Sequence, residues 1–198
     1  MLKLLSSPHC FITPLLNPSR GRLHSIARAS SSFTQTSVRS TKMDSESYMF
    51  GPYKIDSKEV FYSTRLSYAL VNLRPVVPGH ILLSAHLNCR FVDLTADETS
   101  DIWLTAQKVG QQLESYHKAS SLTFAIQDGP QAGQTVPHVH IHILPRKSGD
   151  FEKNDEIYDA IDEKEKELNQ KLDLDKEKKD RTMEEMAEEA ANYRKLFI

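Results

Sequence analysis

The sequence predicts an α+β fold: an antiparallel sheet of about five strands, one long helix packed on it, and a C-terminal helix. Three observations predict it. Short β-branched or aromatic runs at Val60 to Thr64, Leu66 to Leu73 and His80 to Ser84 precede the long helical pattern, with Arg74-Pro75 and Pro78-Gly79 as breaks between them. Ser121 to Gln127 and His138 to Leu144 follow that pattern as two more strands. Strands in blocks before and after a helix, rather than alternating with helices, argue against a doubly wound α/β sheet.

The long helix starts at Thr95 to Glu98, a Thr-x-x-Glu capping box, and carries Ile102, Ala106, Val109, Leu113 and Tyr116 on one face. The loop 128–135, Asp128-Gly129-Pro130-Gln131-Ala132-Gly133-Gln134-Thr135, has the Gly and Pro content of a shaped turn. Thr182 to Glu185 is a second capping box, and Met183, Met186, Ala187, Ala190 and Tyr193 form the stripe of the C-terminal helix. A Met stripe of this kind is read as packing.

With 198 residues, 39% hydrophobic and 26% charged, the chain holds one globular domain with appendages. Residues 1–42 carry +6 and no Asp or Glu against a chain total of -2, so residues 43–198 carry -8. A basic, acid-free, Ser-rich segment reads as an organellar transit peptide or a disordered leader. Met43 offers a second start. The expected location is chloroplast or mitochondrion if the leader is used, and cytoplasm if translation begins at Met43. The expected domains are the leader 1–42, a catalytic domain 43–158, a charged insertion or linker 159–181 and the helix 182–198. Within the insertion, Leu168, Leu172 and Leu174 are the only large apolar residues from Asp162 to Arg181, which reads as a solvated helix or a disordered insertion. No run approaches the roughly 20 apolar residues of a membrane span. Cys89 is the single thiol beyond the leader, so an internal disulfide there is ruled out and a reducing compartment fits.

The chemistry concentrates in His138-Val139-His140-Ile141-His142-Ile143-Leu144. On a strand this alternation puts three imidazoles on one solvent-accessible face and Val139, Ile141 and Ile143 in the core. Such a row serves either metal binding or acid, base and nucleophilic work. His138 and His142 stand about 13 Å apart on a strand, and metal–nitrogen bonds near 2.1 Å disfavour one ion shared by all three. Two histidines with a distant carboxylate remain open as a metal set. Gly129, Gly133, Gln134 and Thr135 just upstream offer backbone N–H groups, an amide and a hydroxyl, a neutral lining for anionic oxygens.

Pro137 to Arg146, with its alternating His and apolar residues, resembles the histidine triad signature. Gln127 to Pro130, Ala132 to Thr135, Arg146 to Phe151, Ala69 to Asn72 and Pro75 to His80 look like the Fhit branch of that superfamily, in a plant-like form with an N-terminal leader. The resemblance runs from about Phe50 to Tyr158 and resumes at the last helix.

It implies the histidine triad fold and His140 as nucleophile, attacking the α-phosphorus to give a nucleotidyl-histidine that water hydrolyses. It implies His138, backed by His80, as an ordering residue, and His142 as a phosphate contact assisting the leaving oxygen. Asn72 is implied as the ribose contact, with Gln127, Gly133, Gln134, Thr135 and Val136 lining the phosphates. The implied reaction is cleavage of diadenosine triphosphate to AMP and ADP, extending to adenylyl sulfate and adenosine phosphoramidates. Two further readings stay open: a signalling protein whose nucleotide complex is the output, and a metal-dependent hydrolase. The expected partners are a nucleotide and a second copy of the chain, dimerising through Leu66 to Leu73 and the helix around Trp103, with no nucleic acid and no membrane. No tightly bound cofactor or protein-held metal is expected, and Mg or Mn would accompany the polyphosphate. Arg146 and Lys147 are read as a solvated strand end or as neutralising polyphosphate charge.

Overall fold

The computed structural model describes residues 48–87, 89–169 and 180–198. The leader and part of the charged insertion lie outside the described residues. Those described fall within one compact unit, Lys42–Ile198.

A short hairpin, β1 (Tyr48–Phe50) and β2 (Tyr53–Ile55), precedes a five-stranded antiparallel sheet of β3 (Val60–Ser63), β4 (Ser67–Val71), β5 (Ile81–Ala85), β6 (Ser121–Ala125) and β7 (His140–Arg146). The spatial order is β3-β4-β5-β7-β6. All five expected strands are present. Strand β7 runs two residues later at each end than the expected His138 to Leu144: His138 makes contacts of its own outside the ladder, and Pro145 and Arg146 pair with Leu122 and Ser121 of β6.

Period-two alternation divides the sheet into two faces. Ala69, Val71, Ile81, Leu83, Ile141 and Ile143 point to one, where they pack with Ile102, Ala106, Val109 and Leu113 of α1 (Ala96–Tyr116) and Met186, Ala190 and Tyr193 of α3 (Met183–Arg194). Both capping boxes form as the sequence indicates, Thr95 with Glu98 and Thr182 with Glu185. Tyr116 and Met183, at the ends of their stripes, are exposed.

The opposite face is covered too, and by elements the sequence analysis did not define. Tyr48 and Phe50 of the hairpin pack with Tyr68, Leu70, Leu82 and Val136. A further helix, α2 (Glu156–Asn169), sets Ile157 and Ile161 against Val77 and Leu144. The histidine row lies on this second face, so His138, His140 and His142 are each at most 1% exposed rather than solvent-accessible. Leu66 to Leu73 is likewise no free surface, because β4 is an inner strand buried along its whole length. Among the described residues no helix is long and apolar enough to cross a membrane.

Candidate active site

Each imidazole is fixed by the partner of its other nitrogen. His138 accepts from the Gly51 N–H at Nδ1 (2.8 Å) and donates from Nε2 to the Ala85 carbonyl (2.7 Å). Both nitrogens are used, so the ring is locked and neutral. Gly51 can deliver that N–H because its φ is +56° and a Cβ there would lie 2.7 Å from Val136 Cγ1. The His138 carbonyl in turn accepts from His140 Nδ1 at 2.7 Å. His140 therefore carries its proton on Nδ1 and leaves the Nε2 lone pair free. That Nε2 is buried with no hydrogen-bond partner.

His142 holds the complementary tautomer. The Val76 N–H donates to His80 Nδ1 (3.1 Å), so His80 carries its proton on Nε2 and donates to His142 Nδ1 at 3.0 Å. His142 is left with Nε2–H, also buried and unpartnered by a hydrogen bond. An acceptor at His140 and a donor at His142 face the same space, with ring centroids 4.9 Å apart. Phe50 of the hairpin packs on His140 in a T-shaped contact, ring centroids 5.0 Å apart.

Burial governs the titration of all four rings. It holds His80 down at about 3, with His140 acting in the same direction. It lowers His138 and His140, and it puts His142 well below the ordinary imidazole value. For His140 the Glu165 carboxylate opposes the shift. A row of neutral imidazoles, one with a free lone pair and its neighbour with a free N–H, is set up for nucleophilic attack assisted by a hydrogen-bond donor.

The HIT domain family matches residues 54–149. Over 152 residues, 76% of this chain and 84% of the relative, the chain is 75% identical to the "Bifunctional bis(5'-adenosyl)-triphosphatase/adenylylsulfatase FHIT" of Arabidopsis thaliana. The chain belongs to the histidine triad family, in its Fhit branch. It is also 47% identical to the bis(5'-adenosyl)-triphosphatase of Dictyostelium discoideum, over 75% of this chain and 91% of that one. Among solved structures it resembles the C. elegans NitFhit protein, with TM-score 0.62 and 40% identity, covering 78% of this chain and 31% of that longer one.

Within this triad the expected pairing of His80 with His138 is corrected: His80 backs His142. The register explains it. Ile81 lies opposite Ile143 and Leu82 opposite His142, which brings His80 beside His142 and leaves His138 at the far end of β5, against Ala85. Asn72 sits beside His80, its Nδ2 3.2 Å from His80 Nε2 and its Oδ1 accepting from the Arg74 N–H.

The loop residues divide. Gln134 spans the loop, accepting from the Gly129 N–H (2.8 Å) and donating to the His138 carbonyl (3.2 Å), so its amide shapes the turn. The Val136 side chain belongs to the core beneath Phe50. Gly133 has φ +91°, and a Cβ there would lie 2.7 Å from Gln127 Nε2. Gln127, Gly133 and Thr135 form a wall against α2, linked to His142 through Glu165. Arg146 is bound by both Asp150 oxygens (2.6 and 2.9 Å) and is not part of that wall.

Two acidic residues that no sequence motif marked stand against this wall. Asp162 accepts from Gln127 Nε2, and Glu165 accepts from Thr135 Oγ1. Glu165 also lies 3.8 Å from His142 Nε2. The signal was the spacing Ile157, Ile161, Glu165, which puts the carboxylate on the buried stripe of α2. Donor atoms of His140, His142 and Glu165 come within 4.8 Å of one another, so these three could hold a divalent metal.

Proposed function

We propose that the chain hydrolyses diadenosine triphosphate to AMP and ADP through a nucleotidyl group on His140. The observation that carries this reading is the bond from His140 Nδ1 to the His138 carbonyl, which presents the Nε2 lone pair. The names of the Arabidopsis and Dictyostelium relatives support the substrate. His140 Nε2 attacks the α-phosphorus, an N–P bond forms, and the bond to the bridging oxygen breaks. ADP leaves as a stable anion, helped by a hydrogen bond from His142 Nε2–H rather than by full proton transfer. The ring is cationic in the intermediate and is held by the His138 carbonyl. Water then adds to phosphorus, the N–P bond breaks, AMP departs, and the protons of water pass to product and solvent.

The Arabidopsis relative's name also supports activity on adenylyl sulfate, whose sulfate leaves as a weakly basic anion. Asn72 is proposed to contact the ribose, and Mg or Mn to travel with the polyphosphate. A homodimer is part of the proposal. Arg194 satisfies the Ser57, Lys58 and Val60 carbonyls on the β3 side, whereas among the described residues β6 has only β7 paired with it, making β6 the edge proposed for a second copy. Residues 1–42 are proposed as a removable leader that directs the chain to an organelle. The test is AMP release from a panel of dinucleoside tri- and tetraphosphates, adenylyl sulfate and an adenosine phosphoramidate, with and without chelator. No AMP from any of them refutes the hydrolase reading. Activity abolished by chelator and restored by zinc moves the assignment to a metal site of His140, His142 and Glu165, the reading their proximity favours.

A further inference from the structure

The groups expected to receive phosphate are already engaged by carboxylates. Asp162 accepts from Gln127 and lies 3.5 Å from where a Cβ of Gly133 would be. Glu165 accepts from Thr135 with one oxygen and faces His142 Nε2 with the other. Carboxylate and phosphate oxygens accept from the same donors and carry the same sign, so both cannot occupy these positions at once. We propose that α2 is an anionic strap: Asp162 and Glu165 sit where phosphate oxygens bind, and the polyphosphate must displace that end of the helix to reach His140. This rests on the assignment of Gln127, Gly133, Thr135 and His142 to phosphate.

The construction of α2 suits a strap that opens at one end. Ile157 and Ile161 anchor its first two turns against Val77 and Leu144. One turn on, the same stripe carries Glu165, 5% exposed, a carboxylate where the two residues before it on the stripe are isoleucines. Charged residues fill the intervening positions Asp162, Glu163 and Lys164. A buried carboxylate held only by neutral donors loses to a polyphosphate that brings more charge and more acceptors to the same groups. The strap also covers His140 and His142 while it is closed, so its opening decides which anions reach the nucleophile.

The decisive measurement is affinity for inorganic pyrophosphate, in chelator and without turnover, for the wild-type chain, the double variant Asp162→Asn/Glu165→Gln, and Ile161→Ala. Displacing a competing charge-assisted contact predicts about tenfold tighter binding in the double variant. Ile161→Ala keeps both carboxylates and loosens only the anchor, so tighter binding there too separates a strap from a simple change of local charge. Amide exchange across residues 162–169 of the wild type should accelerate when pyrophosphate saturates it. Unchanged or weaker binding in both variants overturns the strap, as does exchange that slows or stays the same. Pyrophosphate failing to bind any of the three proteins overturns it as well. A chain that releases no AMP from any nucleotide, yet whose α2 loosens with pyrophosphate, keeps the strap and loses the hydrolase assignment.

Discussion

His80 Nε2 and His142 Nδ1 lie 3.0 Å apart, and the Val76 N–H on the far nitrogen of His80 gives that contact a direction. A backbone amide thus sets, through two rings, which nitrogen of His142 carries the proton facing the site. A second backbone group, the His138 carbonyl, sets the opposite choice on His140. The strand spacing supplies the row of imidazoles, and these two backbone groups make neighbouring rings chemically unlike.

Replacing His80 by Phe keeps the bulk and removes both hydrogen bonds. The Val76 N–H is then left unsatisfied and the His142 tautomer is released. The expected cost is about 1–3 kcal/mol of stability, read by urea denaturation. Turnover should fall by about 10- to 100-fold. A variant with wild-type turnover would show that the relay has no bearing on the reaction.

The pH behaviour follows from burial. His80 titrates at about 3 in the fold against 6.5 when free, and His138, His140 and His142 are lowered as well. As pH drops below 6.5 the unfolded chain takes up protons that the folded chain refuses, so stability declines from there down towards about 3. Activity needs the His140 lone pair, so its acid limb should lie below 6.5. Denaturation midpoints and kcat/KM measured from pH 4 to 8 check both, and an acid limb above 6.5 contradicts a buried neutral nucleophile.

Gly133→Ala places a side chain at φ +91°, 2.7 Å from Gln127 Nε2. Strain of about 1–3 kcal/mol is expected, together with a displaced Gln127. A raised KM with lowered stability is the predicted pair of effects. Stability falling with KM unchanged would remove Gln127 from the phosphate wall.

The dimer proposed for β6 leaves Trp103, 41% exposed on α1, as an apolar group for the second copy to cover. Light scattering at micromolar concentration should give twice the chain mass, and Trp103→Glu should halve it. A wild-type monomer disposes of the proposal.

Much of this architecture was legible in the sequence because period and punctuation act locally. Val139, Ile141 and Ile143 had to face inward together, and Thr95 and Thr182 had to start helices. Burial of the histidines was not legible, because it depends on what covers the second face. Phe50 sits on a three-residue strand too short to show a period. Ile157 and Ile161 are two apolar residues beside a run of charge, and Glu165 completes their stripe with the wrong polarity for a core. The pairing of His80 also needed the register between β5 and β7, a long-range property that no local pattern encodes.

The covalent step admits the sharpest test. His140→Ala or His140→Asn removes the only ring whose free lone pair faces the site, so turnover should vanish. Binding should persist if Gln127, Thr135 and His142 hold the phosphates as proposed. His142→Ala should cost less, since water can supply the lost hydrogen bond to the leaving oxygen. Loss of binding and turnover together at His140 would instead point to a structural or metal role. Wild-type protein quenched without acid during turnover of α-labelled substrate should carry the label on His140, as an acid-labile phosphoramidate. Stereochemistry decides independently of how long that adduct lives. Two successive in-line displacements through His140 retain configuration at the α-phosphorus, whereas one direct attack by water inverts it. Inversion, with no labelled protein trapped, would mean that the His140 lone pair activates water, and the nucleotidyl intermediate would be wrong.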